Sequence, residues 1–242
     1  MSERIAVVTG GSTGIGQSIC ESLLAAGYRV INLARRPAAF THANLENIAV
    51  DLADRAATRE AAAAIAVRAG VCTLVHNAGL IRPALLEEVQ LEDLDYLSNV
   101  HLAAAITLAQ AFLPAMKAAH FGRIVLIGSR AALGLQTRTN YSATKCGMTG
   151  LARTWALELG QHGVTVNCVA PGPIAATEMF HAVVPEGSEK MTQMAASIPV
   201  RRLGRPEDVA RAVMFMLAPE NGFVTGQTLL VCGGASLGSL SL

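Results

Sequence analysis

The sequence predicts a single α/β domain built on a doubly wound parallel sheet of about seven strands, with helices on both faces. Three observations lead to this prediction. Short apolar runs alternate with longer helical stretches along the 242 residues, as in parallel strands joined by helices. The first run ends at a glycine-rich turn, and small or polar residues end most of the others. We therefore expect ligands to bind at the carboxyl ends of the strands.

The apolar runs predict strands at 4–9, 29–34, 47–52, 71–76, 123–128, 164–170 and 227–231. Helical periodicity predicts helices at 17–26, 55–69, 91–118 with an interruption near its start, 141–160 and 206–217. The stretch 175–199 has no long periodic pattern and is expected to form a mobile substrate lid. Because no linker or repeat divides residues 1–242, we expect one domain.

Composition excludes several classes of function. Hydrophobic residues make up 52% of the chain and charged residues 15%, which provides ample core material and no signature of disorder. The net charge of +1 offers no electrostatic attraction for nucleic acid or an anionic membrane. We therefore expect a small-molecule substrate and neither of those partners.

The cysteines and the N-terminal residues indicate the cellular compartment. Five cysteines stand singly in apolar segments, so we expect reduced core residues in a reducing compartment. The chain runs from Met1 directly into a strand, and no apolar run is expected to span a membrane. These features predict a cytoplasmic protein without a signal peptide. No cluster of potential ligands has metal spacing, so no catalytic metal is expected.

The turn after the first strand contains four glycines, and the spacing of Gly10, Gly14 and Gly16 is the informative feature. A strand, a glycine-rich turn and a helix are typical of dinucleotide binding. Gly10 permits the tight turn, Gly14 lets backbone approach a pyrophosphate, and Gly16 lets helix meet strand. The positive end of the helix dipole would then face the phosphates. The alternative is a glycine turn without a ligand.

The end of the second strand indicates which dinucleotide is bound. Such folds place an acidic residue here for the ribose of NAD, or an arginine nearby for the 2′-phosphate of NADP. Ala34 is followed by Arg35 and Arg36, and a guanidinium suits a phosphate. We favour NADP(H) over NAD(H), with Arg35 as the first contact. The alternative is a solvated pair of surface arginines.

Two further strand ends carry candidate cofactor contacts. Asp51, next to Leu52, is placed either to contact an adenine or to cap the following helix. The turn Asn77-Ala78-Gly79 consists of residues small enough for backbone to lie against a ligand.

Tyr141 and Lys145 lie one turn apart on a predicted helix, so their side chains share a face. A free phenol has a pKa of about 10, and a nearby ammonium lowers it. The pair can therefore serve as a general acid and base, although the same spacing is more often a surface pair. Ser129 stands upstream, at the end of the fifth strand.

With these motifs in this order, the chain resembles the short-chain dehydrogenase/reductase family over nearly its whole length. The resemblance implies a Rossmann-like fold that transfers hydride between a nicotinamide and a carbonyl or alcohol. Tyr141 would exchange a proton with the substrate oxygen, Lys145 would lower the tyrosine pKa and hold the nicotinamide ribose, and Ser129 would hydrogen-bond the substrate oxygen. The positions that correspond to cofactor contacts are Gly10, Ser12, Ile15, Asp51, Asn77, Ala78, Gly79, Pro171, Gly172, Ile174 and Thr177.

Several positions depart from the family pattern. His101 replaces the asparagine that usually holds a relay water, and either bonds the same water or is satisfied within the helix packing. Ser129 precedes Tyr141 by twelve residues, one fewer than is common. His76 replaces the first asparagine of the usual Asn-Asn-Ala-Gly motif, and Thr177 follows one extra alanine.

The expected function is NADP(H)-dependent interconversion of a carbonyl and a secondary alcohol. Reduction of a 3-oxoacyl thioester is the alternative substrate class, and a nucleotide-binding sensor with impaired catalysis is the alternative outside enzymes. Arg130 and Arg138 flank the site and are expected to be solvated or interface residues rather than ligands for an acidic substrate. Relatives pair through the long helix and the Tyr141 helix, so the resemblance implies a homodimer or homotetramer.

Overall fold

The computed structural model describes residues 4–68, 70–181 and 183–237. The two ends of the predicted domain 1–242, the last residue of the predicted helix 55–69, and one position inside the predicted lid lie outside the described residues.

A parallel sheet of seven strands occupies the centre of the protein, as predicted. The strands are β1 (Ile5–Thr9), β2 (Arg29–Ala34), β3 (Leu45–Ala49), β4 (Val71–His76), β5 (Gly122–Ile127), β6 (Val164–Pro171) and β7 (Thr228–Val231). Their order across the sheet is β3-β2-β1-β4-β5-β6-β7. The order reverses between β1 and β4, and such a reversal opens a crevice at the carboxyl ends of the strands.

Helices cover both faces of this sheet. They are α1 (Gly14–Ala25), α2 (Arg55–Arg68), α3 (Leu91–Ser98), α4 (Ala104–Ala118), α5 (Thr139–Leu159), α6 (Glu178–His181), α7 (Glu189–Ser197) and α8 (Pro206–Leu217). Single 3₁₀ turns lie at Leu86–Glu88, Arg130–Leu133, Gly160–His162 and Pro219–Asn221. One hydrophobic cluster packs α2, α4 and α5 on one face, and another packs α1 and α8 on the opposite face.

Most predicted elements are present with shifted ends; α1, for example, begins at Gly14 rather than at 17. Strand β3 ends at Ala49 rather than at 52, because its partner β2 ends at Ala34, which is paired with Ala49. The interruption predicted in the long helix is a π-helical turn, Asn99–Ala103, between α3 and α4. The stretch 175–199 contains the helices α6 and α7, whose short length hides them from a periodicity argument.

The prediction that no apolar run approaches a membrane span is corrected by the continuous helix Leu91–Ala118. By length and composition alone it could cross a membrane. Its inner face is buried, however, and Leu108 and Phe112 pack in the cluster with α2, α5 and the sheet. Core helices pass the same test, so this finding carries no argument for a membrane.

The expectation that every cysteine is a core residue is also corrected. Cys20, Cys168 and Cys232 are buried and Cys72 is partly buried, but Cys146 is exposed on the outer face of α5. The apolar side chains of α5 differ in exposure. Met148 and Leu159 are buried, whereas Leu157 is 86% exposed.

Candidate active site

A cleft of about 730 Å³ runs along the carboxyl ends of the strands. It is lined by Ser129 and by every predicted cofactor contact, namely Gly10, Ser12, Gly14, Ile15, Gly16, Arg35, Arg36, Asp51, Leu52, Asn77, Ala78, Gly79, Tyr141, Lys145, Pro171, Gly172, Ile174 and Thr177. His101 lies behind the wall and is fully buried. The topology thus gathers residues from most of the chain into one cavity.

The glycine turn has the shape that a pyrophosphate requires. Gly10 has a φ of 65°, and a Cβ there would lie 2.9 Å from the Cα of Ala78. The amide of Asn77 donates to the backbone oxygens of Thr9 at 3.1 Å and Gly10 at 3.0 Å. Thr13, before α1, makes no capping bond with its side chain. The first-turn N–H groups of α1 are therefore not used by that residue, and they fit a phosphate ligand.

The two arginines after β2 have different surroundings. Arg35 lines the cleft. Arg36 forms an ion pair with Glu178 at the start of α6, at 2.8 Å, and its backbone oxygen accepts a hydrogen bond from the Ser12 hydroxyl. No sequence pattern predicts the pairing with Glu178, because 142 positions separate the two residues.

Asp51 also has a clear local role. Its Oδ1 accepts a hydrogen bond from the N–H of Ala53 at 2.9 Å. The cap of α2 is instead Asp54, whose Oδ1 accepts from the N–H groups of Ala56 at 2.8 Å and Ala57 at 3.0 Å. This geometry removes the capping alternative for Asp51 and leaves its side chain on the wall of the cleft.

Tyr141, Lys145 and Ser129 meet at the other end of the cleft. Tyr141 and Lys145 are both buried, at 8% and 2% exposure. The Lys145 ammonium donates to the backbone oxygen of Ile127 at 2.7 Å and lies 5.7 Å from the centroid of the Tyr141 ring. Ser129 Oγ accepts from the N–H of Ala131 at 3.1 Å, which fixes its direction at the end of β5.

The electrostatics of this group differ from the sequence expectation. Burial raises the pKa of Tyr141, and the groups that oppose this rise are the Ser129 hydrogen bond and the charge of Arg138. Lys145 is not one of them. Burial lowers the pKa of Lys145 to about 8. Burial is therefore the largest influence on both pKa values. It keeps the phenol of Tyr141 protonated and makes the ammonium of Lys145 easier to deprotonate. Arg138 is half-buried, and its charge favours the ionised form of Tyr141.

His101 has a partner at each ring nitrogen. The N–H of Leu80 donates to Nε2 at 3.3 Å, so Nδ1 carries the hydrogen and donates to Thr144 Oγ1 at 2.9 Å. Burial, followed by the charge of Lys145, holds the pKa of His101 well below its usual range. The geometry favours a histidine satisfied within the helix packing over one with a ring nitrogen free for a water.

His76 takes part in a network that sequence reasoning missed. Its Nε2–H donates to the backbone oxygen of Val100 at 3.0 Å, because a carbonyl can only accept. Its Nδ1 then accepts from the Thr9 hydroxyl at 3.1 Å. That hydroxyl oxygen accepts in turn from the N–H groups of Asn77 and Ala78, each at 2.9 Å. Burial lowers the pKa of His76 to about 3, so the ring stays neutral.

Gly79 separates His101 from Lys145. A Cβ at this position would lie 3.1 Å from His101 Nε2 and 3.2 Å from Lys145 Nζ. The backbone after β4 is thus confined between the histidine behind the wall and the amine that faces the cleft. Only a residue without a side chain fits this position without displacing one of them.

A seven-stranded parallel sheet with a glycine-lined cleft, a half-buried serine, and a buried tyrosine and lysine defines a dinucleotide-binding oxidoreductase. Comparison with known proteins gives the family. Residues 4–187 match the model of the family described as short chain dehydrogenase. The chain is 35% identical over 239 residues to the 3-oxoacyl-[acyl-carrier-protein] reductase FabG of Escherichia coli, covering 96% of both chains. It is 37% identical over 240 residues to an acetoacetyl-CoA reductase of Rhizobium meliloti, covering 96% of this chain and 98% of that one.

A solved structure agrees with these matches. It is of a protein described as an NAD(P)-dependent gluconate 5-dehydrogenase from Beutenbergia cavernae, with NADP bound at low occupancy. It superposes with a TM-score of 0.88 at 34% identity, and 97% of each chain is covered. The protein therefore belongs to the short-chain dehydrogenase/reductase family. It is an NAD(P)-dependent oxidoreductase that acts on CH–OH groups.

Proposed function

We propose that the protein interconverts a carbonyl and a secondary alcohol, with NADP(H) as its cofactor and Ser129, Tyr141 and Lys145 as its catalytic set. One observation carries the proposal. These three side chains line the same cleft as the glycine turn and Arg35. A dinucleotide laid along that cleft brings its nicotinamide end toward the hydroxyl of Tyr141.

The preference for NADP(H) rests on the end of β2. Arg35 lines the cleft directly after Ala34, where an NAD-binding fold would carry an acidic residue. A fixed guanidinium favours a 2′-phosphate, because it can offer parallel N–H donors to its oxygens. The NADP bound in the Beutenbergia cavernae structure supports the same choice.

Each catalytic side chain has a separate task. The cofactor supplies the hydride when it is bound. The Tyr141 hydroxyl donates its proton to the substrate oxygen during reduction and takes it back during oxidation. The Ser129 hydroxyl donates a hydrogen bond to the same oxygen as negative charge develops there. The ammonium of Lys145 donates to the backbone oxygen of Ile127 at 2.7 Å and would hold the nicotinamide ribose.

We assign His101 to positioning rather than to proton transfer. It joins the backbone after Gly79 to Thr144, the residue that precedes Lys145. Its ring also packs edge-on against Tyr141, with centroids 5.8 Å apart. The replacement of asparagine here motivated the alternative of a sensor with impaired catalysis. The complete set of Ser129, Tyr141 and Lys145 favours the enzyme.

Two curated relatives favour a 3-oxoacyl thioester as the substrate. Their names state that they reduce 3-oxoacyl-carrier and acetoacetyl-CoA thioesters. Apolar side chains that line the cleft suit an acyl chain; they are Leu80, Ile81, Met179, Phe180, Val184 and Met194. We propose that 175–199 forms the lid over this substrate, because α6 and the following turn supply several of these residues.

The proposal extends to assembly and location. Leu157 is 86% exposed on α5, which is one of the two helices through which the resemblance implies that copies of the chain pair. We propose a homodimer or homotetramer in the cytoplasm, consistent with the bacterial relatives.

The test is an assay of reduced nicotinamide absorbance with acetoacetyl-CoA and a panel of simple ketones, using NADPH and NADH in parallel. The proposal predicts turnover with at least one carbonyl, faster with NADPH at equal concentration. Rapid reduction of acetoacetyl-CoA with little activity on the ketones would select the thioester class. NADPH binding without turnover on any carbonyl would favour the sensor.

A further inference from the structure

An ion pair joins the adenosine side of the cleft to the proposed lid. One guanidinium nitrogen of Arg36 lies 2.9 Å from Glu178 Oε1 and 2.8 Å from Oε2. Arg36 follows β2, where the 2′-phosphate is expected, and Glu178 is the first residue of α6. Both residues line the cleft.

Both partners are held by their surroundings. The backbone oxygen of Arg36 accepts from the Ser12 hydroxyl, which ties its loop to the glycine turn. Glu178 follows Thr177, whose hydroxyl donates to the backbone oxygen of Ile174 at 3.1 Å and accepts from the N–H of Phe180 at 3.2 Å. The carboxylate is therefore presented from a fixed turn.

The lid also approaches the glycine turn at this point. A Cβ on Gly14 would lie 3.1 Å from the methyl group of Thr177. The contact and the ion pair together bring the start of α6 over the part of the cleft that is proposed to hold the phosphates. A carboxylate in this position repels a phosphate dianion, and it occupies a guanidinium that would bond the phosphate.

We propose that Glu178 competes with the 2′-phosphate of NADP(H) for Arg36 and thereby limits the preference for NADP(H) over NAD(H). This inference rests on the proposed function, because it assumes a dinucleotide in the cleft. With NADP(H), the phosphate takes the guanidinium and Glu178 gives up its partner. With NAD(H), the pair persists and holds the start of the lid against the loop after β2.

The expected effect is modest. Both side chains are 64% exposed, and ion pairs at such exposure are weak. A phosphate with two negative charges can therefore displace the carboxylate. Removing the carboxylate should improve phosphate binding about fivefold, which is the scale of one exposed ion pair.

The experiment is calorimetric titration with 2′,5′-ADP and 5′-AMP, two probes that differ only in the 2′-phosphate. It uses the parent protein, Glu178→Gln, Arg36→Gln and the double variant. Glu189→Gln is the matched control, because this lid glutamate bonds Gln193 at 2.8 Å on α7 and lies outside the cleft. NADPH and NADH are titrated in parallel by the fluorescence of the reduced nicotinamide.

We expect Glu178→Gln to tighten 2′,5′-ADP and NADPH about fivefold while 5′-AMP and NADH change less than about twofold. In the Arg36→Gln background the same substitution should have a clearly smaller effect, because the contested guanidinium is gone and only the direct repulsion between carboxylate and phosphate remains. Equal shifts for both probes, no shift for 2′,5′-ADP, or an equal effect of Glu189→Gln would overturn the inference. If neither dinucleotide binds the parent protein, the proposed function fails with it; if both bind and Glu178→Gln changes nothing, only this inference fails.

Discussion

The ring N–H of His76 donates to the backbone oxygen of Val100 at 3.0 Å, inside the π turn that also carries His101. Both histidines stand where the family pattern has asparagine. The structure relates the two departures: one histidine satisfies a carbonyl of the π turn, and the other projects from the same turn toward Gly79 and α5. A π turn shifts the hydrogen-bond ladder of a helix, and a fixed donor beside it stabilises that geometry.

Replacing His76 by leucine should lower the free energy of unfolding by about 1–3 kcal/mol, because the carbonyl of Val100 and the hydroxyl of Thr9 would lose their buried partner. Urea denaturation followed by circular dichroism measures the change. His42→Leu is the control, since His42 is an exposed loop residue. Equal stability of His76→Leu and the parent would show that the bond to Val100 contributes nothing.

Carbonyl reduction should decline as pH rises through about 8, because burial lowers the pKa of Lys145 to about that value. Below that pH the amine carries its charge 5.7 Å from the centroid of the Tyr141 ring; above it this charge is lost from the cleft. The phenol cannot cause this limb, because burial raises the pKa of Tyr141 and keeps its proton in place.

The check on this assignment is a pH profile of kcat/KM for the parent and for Lys145→Arg. A guanidinium stays charged throughout the range, so the variant should be slower but should lack the limb near pH 8. A limb that persists unchanged in the variant would assign it to another group.

Removing the guanidinium of Arg35 should act on one cofactor only. Arg35→Ala should raise the KM for NADPH roughly tenfold, the scale of one charge-assisted phosphate contact, and leave the KM for NADH nearly unchanged. Arg59→Ala, on the exposed side of α2, controls for the loss of positive charge. If both cofactors weaken equally, Arg35 does not recognise the 2′-phosphate.

An acidic residue on the outer face of α5 should break the proposed assembly. Leu157→Glu would place a charge in the proposed interface. Burying an unpaired carboxylate is unfavourable in free energy, so the two copies should separate. Light scattering after size-exclusion chromatography should show a smaller species than the parent. If the parent is an oligomer and the variant has the same mass, the interface does not include Leu157.

The sequence allowed much of the cleft to be predicted, because its residues are set by local geometry. Gly10 is required by a positive φ and by the backbone of Ala78, and the spacing of Tyr141 and Lys145 follows from one helical turn. The pairings of Arg36 with Glu178 and of His76 with Val100 depend on how distant segments pack, so no local sequence pattern predicts them. The sequence predicts a lowered pKa for Tyr141, whereas the structure gives a raised one. Burial, which sequence spacing does not report, has a larger effect on this pKa than the charges around the phenol.

The most direct test of the account is the rate of carbonyl reduction by Tyr141→Phe at saturating NADPH, with Tyr28→Phe as a control because Tyr28 is buried away from the cleft. General acid catalysis accounts for about 10²–10⁴-fold in rate, so we expect a loss of that size with NADPH affinity preserved. A Tyr141→Phe enzyme that reduces its substrate at the parent rate would contradict the central claim that this hydroxyl delivers the proton.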